Sequence, residues 1–344
     1  MLISVIIPFK NSAVTLPRCL EALAKQRHKA AEYIFVDGNS CDGSPNIIND
    51  FAAAHPDMRF KVLNEEGGTA GTARNKGVGE ASGEWLAFTD ADCIPSPDWL
   101  ADIAAVTNAE DDSTGAIAGC ILPASTTNVV AMFLGLYTLP PVMTQRYVSS
   151  YTLVDGGFPT ANLVVKRSVF ESVRGFDERF VGGEDHDLCR RIYSAGFKVK
   201  LVTNARVLHI HRDSLPNLLK QVYGYGKHHP LLLKTMPHGA VVIEAPCVSI
   251  VKMNVALRVW LDFNQADKKM LVAALLPFLW LPLVLLPLLY LVYLALSIRK
   301  KMGERNLPGN IGQASVMAVL LLLRSGALTA GRVRGSLQHG VLCV

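Results

Sequence analysis

Trp85-Leu86-Ala87-Phe88-Thr89-Asp90-Ala91-Asp92 sets a short apolar run of strand length directly against a pair of acids. Read as a strand over residues 85–90, it would deliver Asp90 and Asp92 together, because residues i and i+2 of a strand point the same way. Two carboxylates at the carboxyl edge of an open α/β sheet stand where such sheets bind ligands, and they suit one hard cation. A polar strand terminus running into a turn, reinforced by Pro95 and Pro97, explains the pair equally well. The rest of the chain has to decide.

On both sides of this stretch, short β-branched runs alternate with helical segments from residue 1 to about 210, the pattern of an α/β fold with a mostly parallel sheet covered by helices. Strands are expected over 3–8, 33–37, 60–63, 85–90, 116–121, 161–166 and 199–208, and helices over 14–25, 45–54 and 72–81. Ser44 before Pro45 supplies an N-cap and a first-turn proline. The apolar residues 1–9 lack a basic flank and reach Lys10 too soon for a secretory signal, so they read as a first strand. Seven cysteines (Cys19, Cys41, Cys93, Cys120, Cys189, Cys247 and Cys343) form no Cys-x-x-Cys pair. They read as free thiols in a reducing compartment.

After about residue 230 the alternation stops. Half of the 344 residues are hydrophobic and only 18% are charged, giving a mean hydropathy of +0.27 that asks lipid to take part of the burial. Residues 264–344 carry nine Lys/Arg against two acids, whereas residues 1–263 are near neutral at −2. A basic excess around an apolar tail suits anionic headgroups and argues against nucleic acid as a partner. Met270 to Ile298 is a run of 29 uncharged residues flanked by Lys268, Lys269 and Arg299, Lys300, Lys301, with Trp280 inside it. As a straight helix it would measure roughly 43 Å against about 30 Å of hydrocarbon. Pro277, Pro282 and Pro287 leave a kinked crossing and a re-entrant hairpin both open. Ala314 to Leu323 is a second apolar stretch, an interfacial segment or part of a second span over 311–331, and residues 248–263 are expected to lie along a membrane surface.

Further acids are candidates for chemistry. Asp37 closes an apolar run before Gly38-Asn39-Ser40, where it serves either a nucleoside or an Asx-type turn, and turn chemistry accounts for Asp42 and Gly43. The Gly67–Gly68 loop leads into Arg74, which could neutralise a diphosphate or pair with an acid. Its spacing fits no phosphate-loop fingerprint. Gly183-Glu184-Asp185-His186-Asp187 opens a helix with three acids, which the helix dipole favours and which could equally include a general base. Periodicity does not choose among them.

Taken in order, these segments resemble the family-2 glycosyltransferases, inverting enzymes of the GT-A fold, over roughly residues 1–230. The resemblance rests on Ser4-Val5-Ile6-Ile7-Pro8-Phe9-Lys10-Asn11, Val36-Asp37-Gly38-Asn39-Ser40, Ala73-Arg74-Asn75-Lys76-Gly77, Asp90-Ala91-Asp92, Gly175-Phe176-Asp177-Glu178 and Gly183-Glu184-Asp185. It implies a Rossmann-like catalytic domain over 1–230 and a membrane-associated region with apolar helices over 231–344. Pro8, Phe9, Asp37, Arg74 and Asp90 would bind the nucleotide sugar. Asp92, Asp90 and His209, from Val207-Leu208-His209-Ile210-His211, would hold Mg²⁺ or Mn²⁺. Asp185 would be the base, with Glu184 near the acceptor. Gly38 stands where many members carry a second aspartate.

The implied activity is membrane-bound, metal-dependent transfer of a sugar from a nucleotide donor, UDP-linked, to a lipid-linked or cell-surface glycan, in polysaccharide biosynthesis at the cell envelope. Processive synthases of this superfamily carry Gln-x-x-Arg-Trp; Gln221-Val222-Tyr223-Gly224-Tyr225 has no Arg-Trp, which implies one sugar per encounter. A polyprenyl-phosphate sugar synthase is the alternative within this class. A nucleotidyltransferase would release pyrophosphate instead, and a membrane scaffold with a degenerate site would tolerate loss of its acids. Nucleotide sugars are cytosolic, so the catalytic domain is expected to face the cytoplasm at the inner membrane. The basic residues 299–305 then favour a shallow hairpin within one leaflet, against anionic lipids, over a single crossing.

Overall fold

The computed structural model describes residues 2–344 other than 126, 140, 154, 155, 247, 279, 280 and 306. The chain opens with β1 (Ile3–Phe9), α1 (Leu16–Ala24), β2 (Glu32–Asp37), α2 (Ser44–Ala54), β3 (Phe60–Asn64) and α3 (Ala70–Gly79). It continues through β4 (Trp85–Phe88), β5 (Cys93–Pro95), α4 (Trp99–Ala109), β6 (Thr114–Pro123) and α5 (Val129–Tyr137). Then come β7 (Arg146–Val148), β8 (Leu163–Lys166), α6 (Arg167–Ser172), α7 (Glu184–Ser194) and β9 (Lys198–His209). Two compact units result, one of Met1–Ala124 with Leu139–Ile210, the other of Ser125–Thr138 with His211–Val344.

The first unit is built on a nine-stranded sheet in the order β3-β2-β1-β4-β8-β6-β9-β5, with β7 also paired to β9. β1 to β4, β6 and β9 run one way, whereas β8, β5 and β7 run against their neighbours. The sheet is therefore mostly parallel, as the alternating pattern predicts. Its central strands are buried on both faces, which is why Ile3, Val5, Ile6 and Ile7 follow one another without a polar break except Ser4. Ser4 is tolerated there because its hydroxyl donates to Glu32 Oε1 at 2.8 Å.

Glu32 itself is buried at the start of β2 and accepts from the Ser82 N–H and hydroxyl, with Lys61 Nζ 3.2 Å from its other oxygen. Burial pushes this carboxyl up, but the Ser82, Ser4 and Lys61 hydrogen bonds outweigh it and hold it at about 2, below the ordinary 4.5. A depressed carboxylate stabilises the fold above its unfolded pKa and loses that contribution as pH falls through the folded one. Glu32→Gln is expected to flatten the acid limb of stability between pH 4.5 and about 2. The wild type should lose about 3 kcal/mol more than the variant over that window in denaturant titrations.

Two local expectations shift. β4 ends at Phe88, so Asp90 and Asp92 lie beyond it in a turn closed by Cys93 N–H to Asp90 O at 3.0 Å. Strand alternation therefore does not aim the two carboxylates. Ser44 is the first helical residue of α2, and the cap is Gly43 at φ 82°. Asp42 accepts from the Ser44 N–H and hydroxyl, and its other oxygen accepts from the Ala13 N–H. Cys19, Cys41, Cys93, Cys189 and Cys343 are free thiols, as their spacing predicts, and Cys247 lies outside the described residues.

The second unit adds α8 (Leu215–Thr235), β10 (Gly239–Ala245), β11 (Val248–Val255), β12 (Val259–Asp262), α9 (Ala266–Leu275), α10 (Leu286–Glu304), α11 (Ile311–His339) and β13 (Leu342–Cys343). Residues 248–263, expected along a membrane surface, are folded mainly as strands. They make β11 and β12 of a four-stranded sheet in the order β11-β10-β12-β13, where alternation of side chains produces the mixed pattern.

The 29-residue apolar run is not one straight helix either. α9 stops at Leu275, and 3₁₀ turns over Leu276–Phe278 and Leu281–Leu285 carry Pro277 and Pro282, which cannot donate to a helix ladder. Pro287 sits in the first turn of α10, where no donor is needed. Trp280 lies outside the described residues.

α11 extends well past the second apolar stretch. Its Arg332, 2% exposed, pairs with Asp262 of β12 at 3.1 Å, donates to His229 Nδ1 at 3.1 Å and lies 4.4 Å from the Trp260 ring centre. α8 and α11 touch backbone to backbone. A Cβ at Gly226 would lie 2.2 Å from Leu328 O, and one at Gly331 the same distance from Tyr223 O. Leu283–Glu304 and Ile311–His339 are each long and apolar enough to cross a membrane.

Candidate active site

Arg74 organises the carboxyl edge of the first sheet. It stands in the second turn of α3, a helix started by Thr69 and Thr72, whose side chains cap each other's backbone N–H groups. Only 4% exposed, its guanidinium donates from Nη2 to Asp90 Oδ1 and from Nη1 to Glu184 Oε1, both at 2.8 Å, with the Phe176 ring 5.7 Å away. Burial disfavours the Arg74 charge, but the two carboxylates outweigh it. Glu184 is pushed above the ordinary range by burial and by the charge of Asp185, against the pull of Arg74.

Asn75, the next residue, fastens α3 to the loop before α7. Its Nδ2 donates to Phe176 O, and its Oδ1 accepts the Phe176 N–H, each at 2.9 Å. Gly175 at φ 63° makes the turn that brings Phe176 there.

α7 begins after Gly183, at φ 82°, and sorts its three acids by their partners. Glu184 faces Arg74. Asp187, 1% exposed, is held between Arg190 Nη2 at 2.5 Å and Arg191 Nε at 2.7 Å. Asp185 is half-buried, accepts a hydrogen bond from the His186 N–H at 2.8 Å, and forms no ion pair among the described residues.

A second cluster lies at the far end of the acidic turn. The antiparallel pairing of β5 with β9 puts Cys93 opposite His209, and the Ile210 N–H donates to Asp92 O at 2.8 Å. His209 Nε2 consequently stands 3.4 Å from Asp92 Oδ1. Donor atoms of Asp92, Cys93 and His209 lie within 4.8 Å of one another, a set that fits a divalent cation. Burial and the neighbouring Asp90 push the Asp92 carboxyl up, with His209 opposing. Burial, then the charges of Asp92 and Asp90, raise the Cys93 thiol well above its usual range. Asp90 is outside this set, its Oδ1 bonded to Arg74.

The loops after β1 and β2 are laced together nearby. Asp37 Oδ1 accepts the Ser40 N–H at 2.9 Å and the Ser40 hydroxyl at 2.6 Å, an Asx-type turn. The Asn11 N–H donates to Ser40 Oγ, and the Cys41 N–H to Asn11 Oδ1. Pro8 is partly exposed. The Phe9 ring is in the core against Phe35, so Phe9 meets this edge through its backbone, whose carbonyl accepts the Gly38 N–H at 2.8 Å.

Arg74, Asp90 and Glu184 are thus in one ion-pair chain, and Asp92 with His209 in a neighbouring pair. Cys93 and Asn75 were not among the residues the sequence singled out for a role. Cys93 is revealed only by strand register, whereas Asn75 follows Arg74 in a quoted motif.

The mostly parallel sheet, with its acidic turn beyond β4 and acid-headed α7, is the GT-A fold shared with the solved structures named below. Residues 4–174 match the family described as Glycosyl transferase family 2, and residues 145–213 match that described as N-terminal domain of galactosyltransferase. The chain belongs to glycosyltransferase family 2, a class that draws its sugar from a nucleotide-sugar donor.

Relatives include Glycosyltransferase AglE of Haloferax volcanii, 28% identical over 228 residues, covering 65% of this chain and 72% of AglE. The Pre-mycofactocin glycosyltransferase of Mycobacterium tuberculosis is 29% identical over 232 residues, 65% of this chain but 46% of its own length. Among solved structures, the mannosyltransferase PcManGT from Pyrobaculum calidifontis, in complex with GDP-Man and Mn²⁺, shares the fold with a TM-score of 0.59 at 17% identity, covering 97% of this chain and 86% of that one. TarS 1–349 of S. aureus in complex with UDP-GlcNAc does so at 0.53 and 16%, covering 99% and 93%.

Proposed function

We propose that this chain is a membrane-bound, inverting glycosyltransferase that moves one sugar from a UDP-linked donor to a lipid-linked or cell-surface glycan acceptor, with Asp185 as the base. The observation that carries the assignment is the sorting of the acids on α7. Glu184 and Asp187 are each bound to arginine, whereas Asp185 is half-exposed without a cationic partner among the described residues. In the transfer, the Asp185 carboxylate takes the acceptor hydroxyl proton as that oxygen bonds to the anomeric carbon. The bond from that carbon to the diphosphate oxygen breaks in the same displacement, the nucleoside diphosphate leaves with the electron pair, and the anomeric centre inverts.

Arg74 acts from beneath: buried and bonded to both acids, it fixes Asp90 toward the donor and Glu184 toward the acceptor. Asp37 and the backbone of Pro8 and Phe9 form the nucleotide edge. Asp92 and His209 would hold Mg²⁺ or Mn²⁺, which when bound supplies positive charge for a departing diphosphate. Screening the purified protein against nucleotide sugars tests the donor. Hydrolysis or thermal protection by one UDP-sugar in the presence of Mn²⁺ is expected, and protection by none refutes it. Polyprenyl phosphate, offered as acceptor, separates the two enzyme readings.

Support for membrane attachment comes from exposed apolar side chains along α9, α10 and α11, among them Leu271, Leu288, Leu296, Val316 and Val319, and from Phe278 in the 3₁₀ turn after α9, bordered by Lys269, Arg299 and Lys300. The catalytic unit would face the cytoplasm. We hold to a hairpin bent at Pro277 and Pro282 that dips into one leaflet of the inner membrane. Lys300→Cys, at an exposed position and in a background without native cysteines, should resist a membrane-impermeant thiol reagent in intact cells and react after permeabilisation. Reaction from outside would establish a crossing and defeat the hairpin.

A further inference from the structure

We propose that the Cys93 thiol is itself a ligand of the cation site, so that Asp92, His209 and Cys93 hold a borderline or soft divalent cation of the cobalt, zinc or cadmium kind through one oxygen, one nitrogen and one sulfur. This rests on the cation site at the acidic turn and adds to it a donor of another chemical class.

Register makes the set. Cys93 and His209 are directly opposite in the β5–β9 pair, and residues opposite each other on antiparallel strands project to the same side of the sheet. Cys93 Sγ is 3.7 Å from Asp92 Oδ1, and His209 Nε2 is 3.4 Å from that same oxygen. Donors placed tetrahedrally about 2.0–2.3 Å from a zinc-sized ion are separated by roughly 3.3–3.8 Å. The two measured spacings fall in that range before any ion is bound, and all three donor atoms lie within 4.8 Å of one another.

The donors also differ in what they select. Magnesium and manganese favour oxygen and recruit a thiol poorly, so Asp92, His209 and substrate oxygens would serve them. Cobalt, zinc and cadmium gain from sulfur. Binding forms the metal–sulfur bond, breaks the S–H bond and releases that proton to solvent. One core-facing side chain thereby decides which cation the edge prefers.

Optical titration of the full chain with Co²⁺ alone, in a Cys41→Ser, Cys247→Ser background that removes the thiol exposed among the described residues and the one outside them, tests the assignment. An intense near-ultraviolet sulfur-to-cobalt charge-transfer band saturating at one equivalent, and its loss in Cys93→Ser, are expected. A Cys19→Ser variant should keep the band. Visible cobalt bands with no charge-transfer band, or a band that survives Cys93→Ser, would overturn the proposal. X-ray absorption of the zinc-loaded wild type gives a readout independent of any variant: one sulfur beside nitrogen and oxygen supports it, and nitrogen and oxygen alone refute it. Electron paramagnetic resonance of Mn²⁺ in the presence of UDP separates the two levels. Mn²⁺ bound without a cobalt–sulfur band leaves the cation site standing and removes the thiol, whereas failure of both ions to bind removes both.

Discussion

Asp185→Asn should bind a donor sugar nucleotide as tightly as the wild type while its transfer rate falls by about 10²- to 10⁴-fold, the usual worth of a positioned general base. Asp92→Asn should instead lose metal-dependent donor binding. In the proposed mechanism the two carboxylates act at different times: Asp92, beside His209, would be needed before chemistry, to hold an ion against the diphosphate, whereas Asp185, bonded to the His186 N–H, would be needed only as the acceptor oxygen attacks. The amide of Asp185→Asn keeps the shape and the hydrogen bond to the His186 N–H, so folding is not the variable. Donor affinity by calorimetry and turnover by product release should separate the variants. Equal loss of donor binding in both would sink this division of roles.

Arg74→Leu should destabilise the catalytic unit by about 3–5 kcal/mol, the cost of removing one partner from a buried ion pair. Asp90 and Glu184 would be left facing a space without positive charge, and Glu184 is already pushed upward by burial and Asp185. The pH dependence gives the sign. An acid whose folded pKa is raised binds protons on folding, so the variant should regain stability as pH falls and Glu184 is neutralised. Adding Glu184→Gln should recover part of the loss at neutral pH. Denaturant midpoints of the single and double variants measure both effects, and a loss well under 1 kcal/mol would mean that Arg74 bears no such load.

Much of the catalytic sheet can be read from the chain because its inner strands are buried on both faces and so appear as unbroken apolar runs, as at Ile3–Phe9 and Glu32–Asp37. Acids at the ends of those runs are legible for the same reason. Partners are not. Arg74 and Glu184 are 110 residues apart, and only the packing of α7 beside α3 makes them a pair. Asp185 cannot be distinguished from Asp187 by spacing; the arginines one turn further along α7 make the difference. Residues 248–263 are not legible as strands because a strand with one exposed face and a membrane-surface segment share a mixture of apolar and basic residues. The apolar tail was legible in kind, but its breaks depend on where Pro277 and Pro282 fall relative to helix ends.

The close meeting of α8 and α11 has a consequence for synthesis. Gly226 lies against the backbone of Leu328, and Gly331 and Gly335 against those of Tyr223 and Lys227, so each helix offers a surface that the other fills. At about 5–20 residues per second, a ribosome that has finished α8 needs several seconds to deliver α11. The most apolar part of the chain emerges in that interval, before the helix that completes the unit. Production of this protein should therefore be limited by whatever shelters residues 236–310 during translation, an insertase or a chaperone, and helix-breaking changes in α11 should appear first as lost yield.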